Sequence, residues 1–363
     1  MYEIEQVVLQ SRPGKTNPPS EENFAYAKAP PIESQPIECK DGEIVAKTLY
    51  LSVDPYMRGR MNDHIGTTLS HLSSYIEPWS LGEPLSGGGV GVVVESKCDG
   101  FVKGDIVQAP FPGFWPWQNN VLFPSEVELT KVDNAYLKEH PSLLLGLCGL
   151  TGVTSLIGLE VKGHIVPGKN QTVVVSGAAG ACGVAAGQIA KLLGSGKVVG
   201  TCGTDEKCQY IRELGFDAAI NYKTTTDMRS ALKSHCPDGI DVYFDNVGGT
   251  ISEEVIRLMN KDSHVVVCGQ ISSYNKDIPF PNPLSPEVQE IATKQNVTRE
   301  LFLVLRYNDR VPEAMQKLTQ WVQEGKLKSR ETVAVGLENT GKAFVSMMNG
   351  GNIGKQIVKV SDH

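Results

Sequence analysis

No stretch of about 18 apolar residues occurs in the chain, so no helix is expected to span a membrane. The opening, MYEIEQVVLQ, lacks a basic region followed by an apolar run and predicts no secretory signal. The tail, IVKVSDH, carries neither a retention tag nor a prenylation box. There are no internal repeats and no low-complexity tract. Lys and Arg are scattered, and the net charge is −7, which speaks against a nucleic-acid or anionic-lipid surface built on clustered cations. None of the 8 cysteines forms a C-x-x-C pair. Several lie in apolar runs, so free thiols in a reducing, cytoplasmic compartment are expected. Zinc ligands are also missing. No histidine sits in a Gly-His-Glu setting and no four cysteines are closely spaced, so neither a catalytic nor a structural zinc set can be assembled. His64 and His71 lie in a polar stretch and read as surface residues; His264 opens an apolar run and reads as structural.

What remains is ordinary for a globular protein, with 40% hydrophobic and 21% charged residues. At 363 residues the chain exceeds what one core holds, so two domains are expected. Residues 1 to about 125 are rich in Pro, Gly and short β-like runs such as 43–53, 87–96 and 104–111. The stretch 63–80 reads as a surface loop. The rhythm changes near 145. From Gln171 onward Val-rich runs at 172–177, 197–203, 218–222, 240–246 and 264–271 alternate with helical patterns at 181–194, 205–214, 226–235 and 251–259. Continuous apolar runs suit strands covered on both faces, and the alternation predicts a doubly wound parallel sheet. Residues 273–298 read as a long loop, followed by a helix at 311–325 and a last strand at 355–360.

The segment TVVVSGAAGACGVAAGQIAKLLG (172–194) reads as strand, glycine turn and helix. Gly180 and Gly183 occupy the second and third glycine positions of G-x-G-x-x-G; Ala178 replaces the first. Such a turn brings backbone N–H groups and a helix N-terminus against a pyrophosphate. An NAD site usually ends its second strand on a carboxylate that takes the ribose 2′-OH. Here Gly203 and Thr204 stand there, and Thr-Asp-Glu (204–206) reads as an N-cap and first helical turn. Lys207 then meets a 2′-phosphate or is a solvated helix lysine; the pattern favours NADP(H). Without a metal, the chemistry shifts to a hydride donor plus a hydrogen-bond donor. Reduction of a conjugated C=C fits, a hydroxyl steadying charge on the carbonyl oxygen.

SVDPYMRGRM (52–61), SGAAGACG (176–183), ELGFDAAINYK (213–223), VYFDNVGG (242–249), CGQISSYN (268–275) and GGNIGKQIVKV (350–360) resemble the zinc-free leukotriene B4 12-hydroxydehydrogenase/prostaglandin reductase family of medium-chain dehydrogenases/reductases. The resemblance covers nearly the whole chain. It implies an α/β protein with a Rossmann sheet (146–318) inserted into a GroES-like, mostly β catalytic domain (1–145), to which 319–363 returns. It implies an NADPH-dependent reductase of enone lipids, a monomer or homodimer without nucleic-acid or membrane partners. A quinone or enoyl-thioester reductase and a non-catalytic NADPH-binding module are the alternatives.

Carried over by position, Gly180, Ala181, Cys182 and Gly183 meet the pyrophosphate, and Lys207 and Tyr222 the 2′-phosphate. Asn246 lies near the ribose. Cys268, Gly269, Gln270, Ile271, Ser272, Ser273 and Tyr274 line the nicotinamide side. Phe302, Leu303 and Val304 flank nicotinamide and substrate, and Asn352 closes over the cofactor. Tyr274 is the hydroxyl expected to serve the enone oxygen, from a loop near solvent. Tyr56, Tyr75, Phe111, Gly113 and Phe114, with Trp115, are the substrate-side candidates; packing in the β domain is the competing role for Tyr56 and the aromatic stretch. Arg58 meets a carboxylate or forms a structural salt bridge. Three departures stand out: Leu150-Thr151 stands where a Met-Pro pair is common, at the expected nicotinamide floor, and the stretch at 111–118 and the loop around Ser70 to Trp79, both at the expected substrate mouth, are longer.

Overall fold

A computed structural model describes residues 3–28, 38–63, 76–110, 114–124 and 126–362. The chain divides into two compact units, Met1–Leu145 with Glu331–Asn352 and Gln356–His363, and Gly146–Arg330 with Ile353–Lys355.

In the first unit, strands β1 (Glu5–Leu9) and β2 (Phe24–Lys28) pair as an antiparallel ribbon. The main sheet is built on β3 (Ile44–Ser52) and β5 (Gly89–Ser96), with the two-residue β4 (Ser86–Gly87) between them in sequence. β6 (Ile106–Gln108), β7 (Trp115–Pro116), β8 (Asn120–Phe123) and β9 (Thr130–Lys131) follow. β3 is paired on both edges, by β5 along one and, along the other, by β8 at Ile44–Lys47 and a C-terminal strand at Tyr50–Ser52. The core is aromatic: Trp79 meets Trp117 edge-on at 5.4 Å and Trp115 meets Phe123 at 4.8 Å. The buried Trp115 indole donates to Thr48 Oγ1 at 2.8 Å, which satisfies its one polar atom.

The second unit carries a six-stranded parallel sheet in the order β12-β11-β10-β13-β14-β15. Its strands are β10 (Thr172–Ser176), β11 (Lys197–Cys202), β12 (Ala218–Asn221), β13 (Ile240–Asp245), β14 (Met259–Val267) and β15 (Thr298–Leu301). Val173, Val174 and Val175 are all fully buried, as a strand sandwiched between helices requires. The unit is α/β, a doubly wound parallel sheet of the Rossmann type. β16 (Glu331–Val335) and β17 (Lys355–Lys359) complete the chain, and β17 pairs antiparallel with β3.

Four expectations need correction. The stretch 273–298 is not one loop: Pro286–Lys294 is a helix with Pro at its first turn, burying Val288 and Ala292. β14 begins at Met259, five residues before the apolar run, so the helix expected at 251–259 ends at Ile256. His264 therefore lies inside a strand, its ring 4.5 Å from that of His164. The return to the first unit starts at Glu331 rather than 319, because the helix Val311–Gln323 packs against Leu150–Gly158 of the second unit.

Candidate active site

β10 ends at Ser176, and Gly177 turns with φ 57°. Gly180 then caps the helix Ala181–Leu192 without any side-chain cap, so the first N–H groups face outward with no local acceptor from a capping residue. A Cβ at Gly183 would overlap the Gly177 carbonyl oxygen and the Ala178 backbone, so only glycine lets the helix close this near the turn. The Ala178 N–H bonds the Thr201 carbonyl at 3.0 Å, and the Gly354 N–H bonds the Ala179 carbonyl at 2.7 Å, fixing the turn from both sides. This cradle of uncapped N–H groups fits a dinucleotide pyrophosphate.

At the end of β11, Thr204 caps the helix Asp205–Glu213, its hydroxyl accepting the Lys207 N–H at 3.2 Å. The Asp205 carboxylate accepts from the Asn221 amide at 2.7 Å, so this acid is engaged with β12. Gly203 lies beneath Tyr222, whose hydroxyl sits 2.9 Å from the position of a Gly203 Cβ; the Lys223 Cε is 3.5 Å from it. Burial holds the Lys207 amine below its ordinary value, and the Lys223 charge adds to the shift. The structure thus brings Tyr222 and Lys223 against Gly203, with Lys207 in the first turn of the helix that follows, two cations and a phenol suited to a phosphate dianion. Lys223 was not among the sequence candidates; its place directly after Tyr222 was the available signal.

The ends of β13 and β14 are organised by Asp245, which is fully buried. Its Oδ1 accepts from Ser176 Oγ (3.2 Å), Tyr243 Oη (2.9 Å), Val247 N (3.1 Å) and Gly248 N (2.9 Å). Its Oδ2 accepts from Ser252 Oγ at 2.8 Å and Gln270 Nε2 at 3.2 Å. A buried carboxylate is tolerated only when hydrogen-bonded this fully. Its charge also pulls up the Arg299 guanidinium, which burial holds below its usual range, and Arg299 donates to the Asn282 carbonyl at 2.8 Å. Asn282 N–H in turn donates to Gln270 Oε1 at 2.6 Å. Sequence reasoning singled out Asn246 and passed over its neighbour; an acid directly after the buried run Val242–Phe244 was the missed sign.

This network holds the loop on which the nicotinamide-side candidates lie. The N–H groups of Cys268 and Gly269 bond the Asp245 carbonyl at 2.9 and 3.0 Å. Asn246 donates to the Ser176 carbonyl at 2.7 Å, Ser272 Oγ to the Val247 carbonyl at 2.6 Å and Ser273 Oγ to the Gln270 carbonyl at 2.7 Å. The side chains of Asn246, Gln270, Ser272 and Ser273 therefore shape the loop, and most of its backbone N–H groups are also bonded within it or to the Asp245–Val247 turn. Tyr274 is buried, not near solvent: its hydroxyl packs over Gly269, 2.9 Å from where a Cβ would stand, and only glycine admits it. Phe302 is buried beside Gly158 and stacks on Tyr307 at 5.5 Å, and Val304 is buried too. Leu303, between them, stays partly exposed.

In the first unit, Tyr56 precedes the short helix Met57–Arg60 and packs against the aromatic core. Trp115 is core rather than a wall for substrate, whereas Phe114 is 44% exposed, its ring 4.9 Å from the Arg60 guanidinium. Arg58 is buried and donates to the carbonyls of Gly14, Lys15 and Asn17 and to Asn62 Oδ1; burial lowers its guanidinium to about 10. Asn352 belongs to this unit, next to Ile353–Lys355 of the other. Tyr75, Phe111, Gly113, His64 and His71 lie outside the described residues. Among the described residues no group of three or more His, Cys, Asp or Glu could hold a metal ion, and no helix is long and apolar enough to cross a membrane.

The family description "Zinc-binding dehydrogenase" matches residues 181–324, and "N-terminal domain of oxidoreductase" matches residues 5–132. The donor set of the described residues does not fit the zinc in the first description. Prostaglandin reductase 1 of Mus musculus is 40% identical, covering 94% of this chain and 95% of that protein. NADPH-dependent curcumin reductase of Escherichia coli is 35% identical, covering 98% and 96%. The crystal structure of CurA from Vibrio vulnificus in complex with NADPH superimposes with a TM-score of 0.84 at 33% identity, covering 99% of this chain and 100% of that one.

Proposed function

The chain belongs to the zinc-free quinone/enoyl reductase branch of the medium-chain dehydrogenase/reductase family of NADP-dependent oxidoreductases, and we propose that it reduces the conjugated C=C bond of enone lipids. The substrate class we assign is the 15-oxoprostaglandins, reduced to 13,14-dihydro-15-oxoprostaglandins. Two relatives carry the names prostaglandin reductase and curcumin reductase, and the run CGQISSYNKDIPFPNPLSP (268–286) is similar to that of prostaglandin reductase 2, a 15-oxoprostaglandin 13-reductase. The eight free thiols suit a reducing, cytoplasmic compartment.

The observation that carries the reading is the buried Tyr274 phenol, held over Gly269 in a loop pinned by Asp245. NADPH, when bound, supplies the hydride that adds to the β-carbon of the enone. Gly180–Gly183 hold the pyrophosphate, Lys207, Tyr222 and Lys223 the 2′-phosphate, and the backbone of Cys268–Tyr274 the nicotinamide side. As the C=C electrons move toward the carbonyl, Tyr274 donates a hydrogen bond to the oxygen where charge gathers; the α-carbon then takes its proton from water. A donor fixed in place helps because its bond strengthens only as that charge develops. Phe114, Tyr56 and Leu303 are the described side chains assigned to the lipid, with Tyr75, Phe111 and Gly113 in the same role. The test is turnover with NADPH on a panel of 15-oxoprostaglandin, simple enones, quinones and enoyl thioesters, before and after exhaustive chelation. Preference for the enones, unchanged by chelation, is expected. Preference for quinones or thioesters, or activity lost to chelation and restored by zinc, would overturn it.

A further inference from the structure

Between the helix Val311–Gln323 and β16 the chain runs through Lys328 to Arg330, still within the second unit. Side chains of the two nucleotide-side helices fix its path. Gln188, on the helix that opens at the glycine turn, takes both backbone groups of Lys328: its Oε1 accepts the N–H at 3.0 Å and its Nε2 donates to the carbonyl at 2.8 Å. Tyr210, on the helix Asp205–Glu213, accepts the Arg330 N–H on its hydroxyl at 2.7 Å. The Arg330 carbonyl accepts the Lys355 N–H at 3.1 Å. The residue before Lys355 is Gly354, which donates to the Ala179 carbonyl at 2.7 Å and pairs with Gly180 in an isolated bridge. The Arg330 backbone is therefore pinned between the glycine turn and the helix that carries Lys207. Its guanidinium is held far less. It lies over the Tyr210 ring, 5.1 Å from the centroid, with Nη1 3.9 Å from Glu206 Oε1. The two charged side chains are 57% and 73% exposed, and so open and long an ion pair contributes little. Glu206 stands next to Lys207 in the first turn of its helix.

We propose that Arg330 is a further specificity-determining residue for the coenzyme, its guanidinium turning from Glu206 to the 2′-phosphate of NADPH beside Lys207. The pinned backbone sets where the side chain starts, and the exposed head is free to change partner. The exchange costs little, because the Glu206 carboxylate stays in water when the guanidinium leaves it. What the phosphate gains is geometry as well as charge. Lys207 and Lys223 bring compact ammonium groups, whereas a guanidinium is a planar fork that meets two phosphate oxygens at once. The Arg330 charge also offsets that of Glu206, which would otherwise repel a dianion at the next residue. NADH has no 2′-phosphate, so with it Arg330 stays on Glu206 and adds nothing to binding.

The experiment measures by calorimetry the affinity of the full-length protein, Arg330→Ala and Arg330→Lys for NADPH, NADH, 2′,5′-ADP and 5′-ADP. The last two carry the adenosine end alone, with and without the 2′-phosphate. Arg330→Ala is expected to weaken NADPH and 2′,5′-ADP by about tenfold or more, and NADH and 5′-ADP by less than about twofold. Arg330→Lys keeps the charge without the fork and should regain part of the loss. Tyr210 and Lys355 bond the Arg330 backbone, so both variants retain those anchors and the unfolding midpoint should stay close to that of the unmutated chain. An unchanged NADPH affinity in Arg330→Ala would overturn the proposal. So would an equal loss for NADPH and NADH, which would place Arg330 on the pyrophosphate or in the packing of the turn. A lysine variant no better than the alanine one would overturn it too, since the charge would then count for nothing.

Discussion

At the end of β11, Lys207 is partly exposed and Tyr222 and Lys223 are exposed, whereas at the end of β13 the Asp245 carboxylate is wholly buried and accepts six hydrogen bonds. Both places lie at the carboxyl ends of parallel strands in one sheet, where such folds take their ligands. Side chains at the first place are wholly or partly open to solvent and suited to act through charge on whatever binds. Those at the second are spent on one another and fix backbone. Affinity and coenzyme choice should therefore be tunable at the first place without loss of the fold. At the second, a single atom change should damage both stability and the geometry of the Tyr274 loop.

The largest effect expected from breaking this contrast is at Asp245. Asp245→Asn keeps the shape but points an NH2 group at donors, in a fully buried site. A stability loss of about 3–5 kcal/mol is expected by denaturant unfolding. A loss below about 1 kcal/mol would mean that the network is not what holds these strand ends. Next in size is Tyr274→Phe, which keeps the ring over Gly269 and removes only the hydroxyl. We expect kcat for an enone to fall roughly ten- to a thousandfold with NADPH affinity nearly constant. Because the phenol is buried, a small loss of stability accompanies it. Wild-type turnover would reduce Tyr274 to a packing residue.

At the exposed end, Lys207→Ala should weaken NADPH by about 1.5–3 kcal/mol more than NADH, with the unfolding midpoint almost unmoved. Equal weakening of both coenzymes would remove Lys207 from the phosphate subsite. The smallest effect is one of pH. Burial holds the Lys207 amine below its ordinary value in the protein without ligand, and a phosphate dianion beside it favours the charged form. Binding of NADPH then takes up protons between the lowered free value and the raised bound one, so NADPH affinity falls as pH rises through that window. NADH lacks the dianion, and calorimetry in buffers of different ionisation enthalpy should find no such uptake with it.

Sequence legibility followed burial. β10, β11 and β13 were readable because strands covered on both faces are written as apolar runs, and the glycine turn because each glycine excludes a side chain at a close approach. The opening of β14 was not, since Lys261 and Asp262 are exposed and carry no apolar signal. β15, Thr-Arg-Glu-Leu, is a charged edge strand, the form in which edges avoid further pairing. The helix Pro286–Lys294 buries only Val288 and Ala292, too thin a stripe to register, although Ser285-Pro286-Glu287 is a helix start. The Asp245 network joins residues distant in sequence, and only the folded sheet brings them together.

The central claim, hydride addition to the β-carbon of an enone, is tested most directly with NADPH carrying deuterium at the transferred position and 15-oxoprostaglandin as acceptor. The account predicts a 13,14-dihydro product with one deuterium, located by NMR on the carbon β to the ketone. Deuterium on the carbinol carbon of a 15-hydroxy product, or no transfer to the lipid at all, would contradict it.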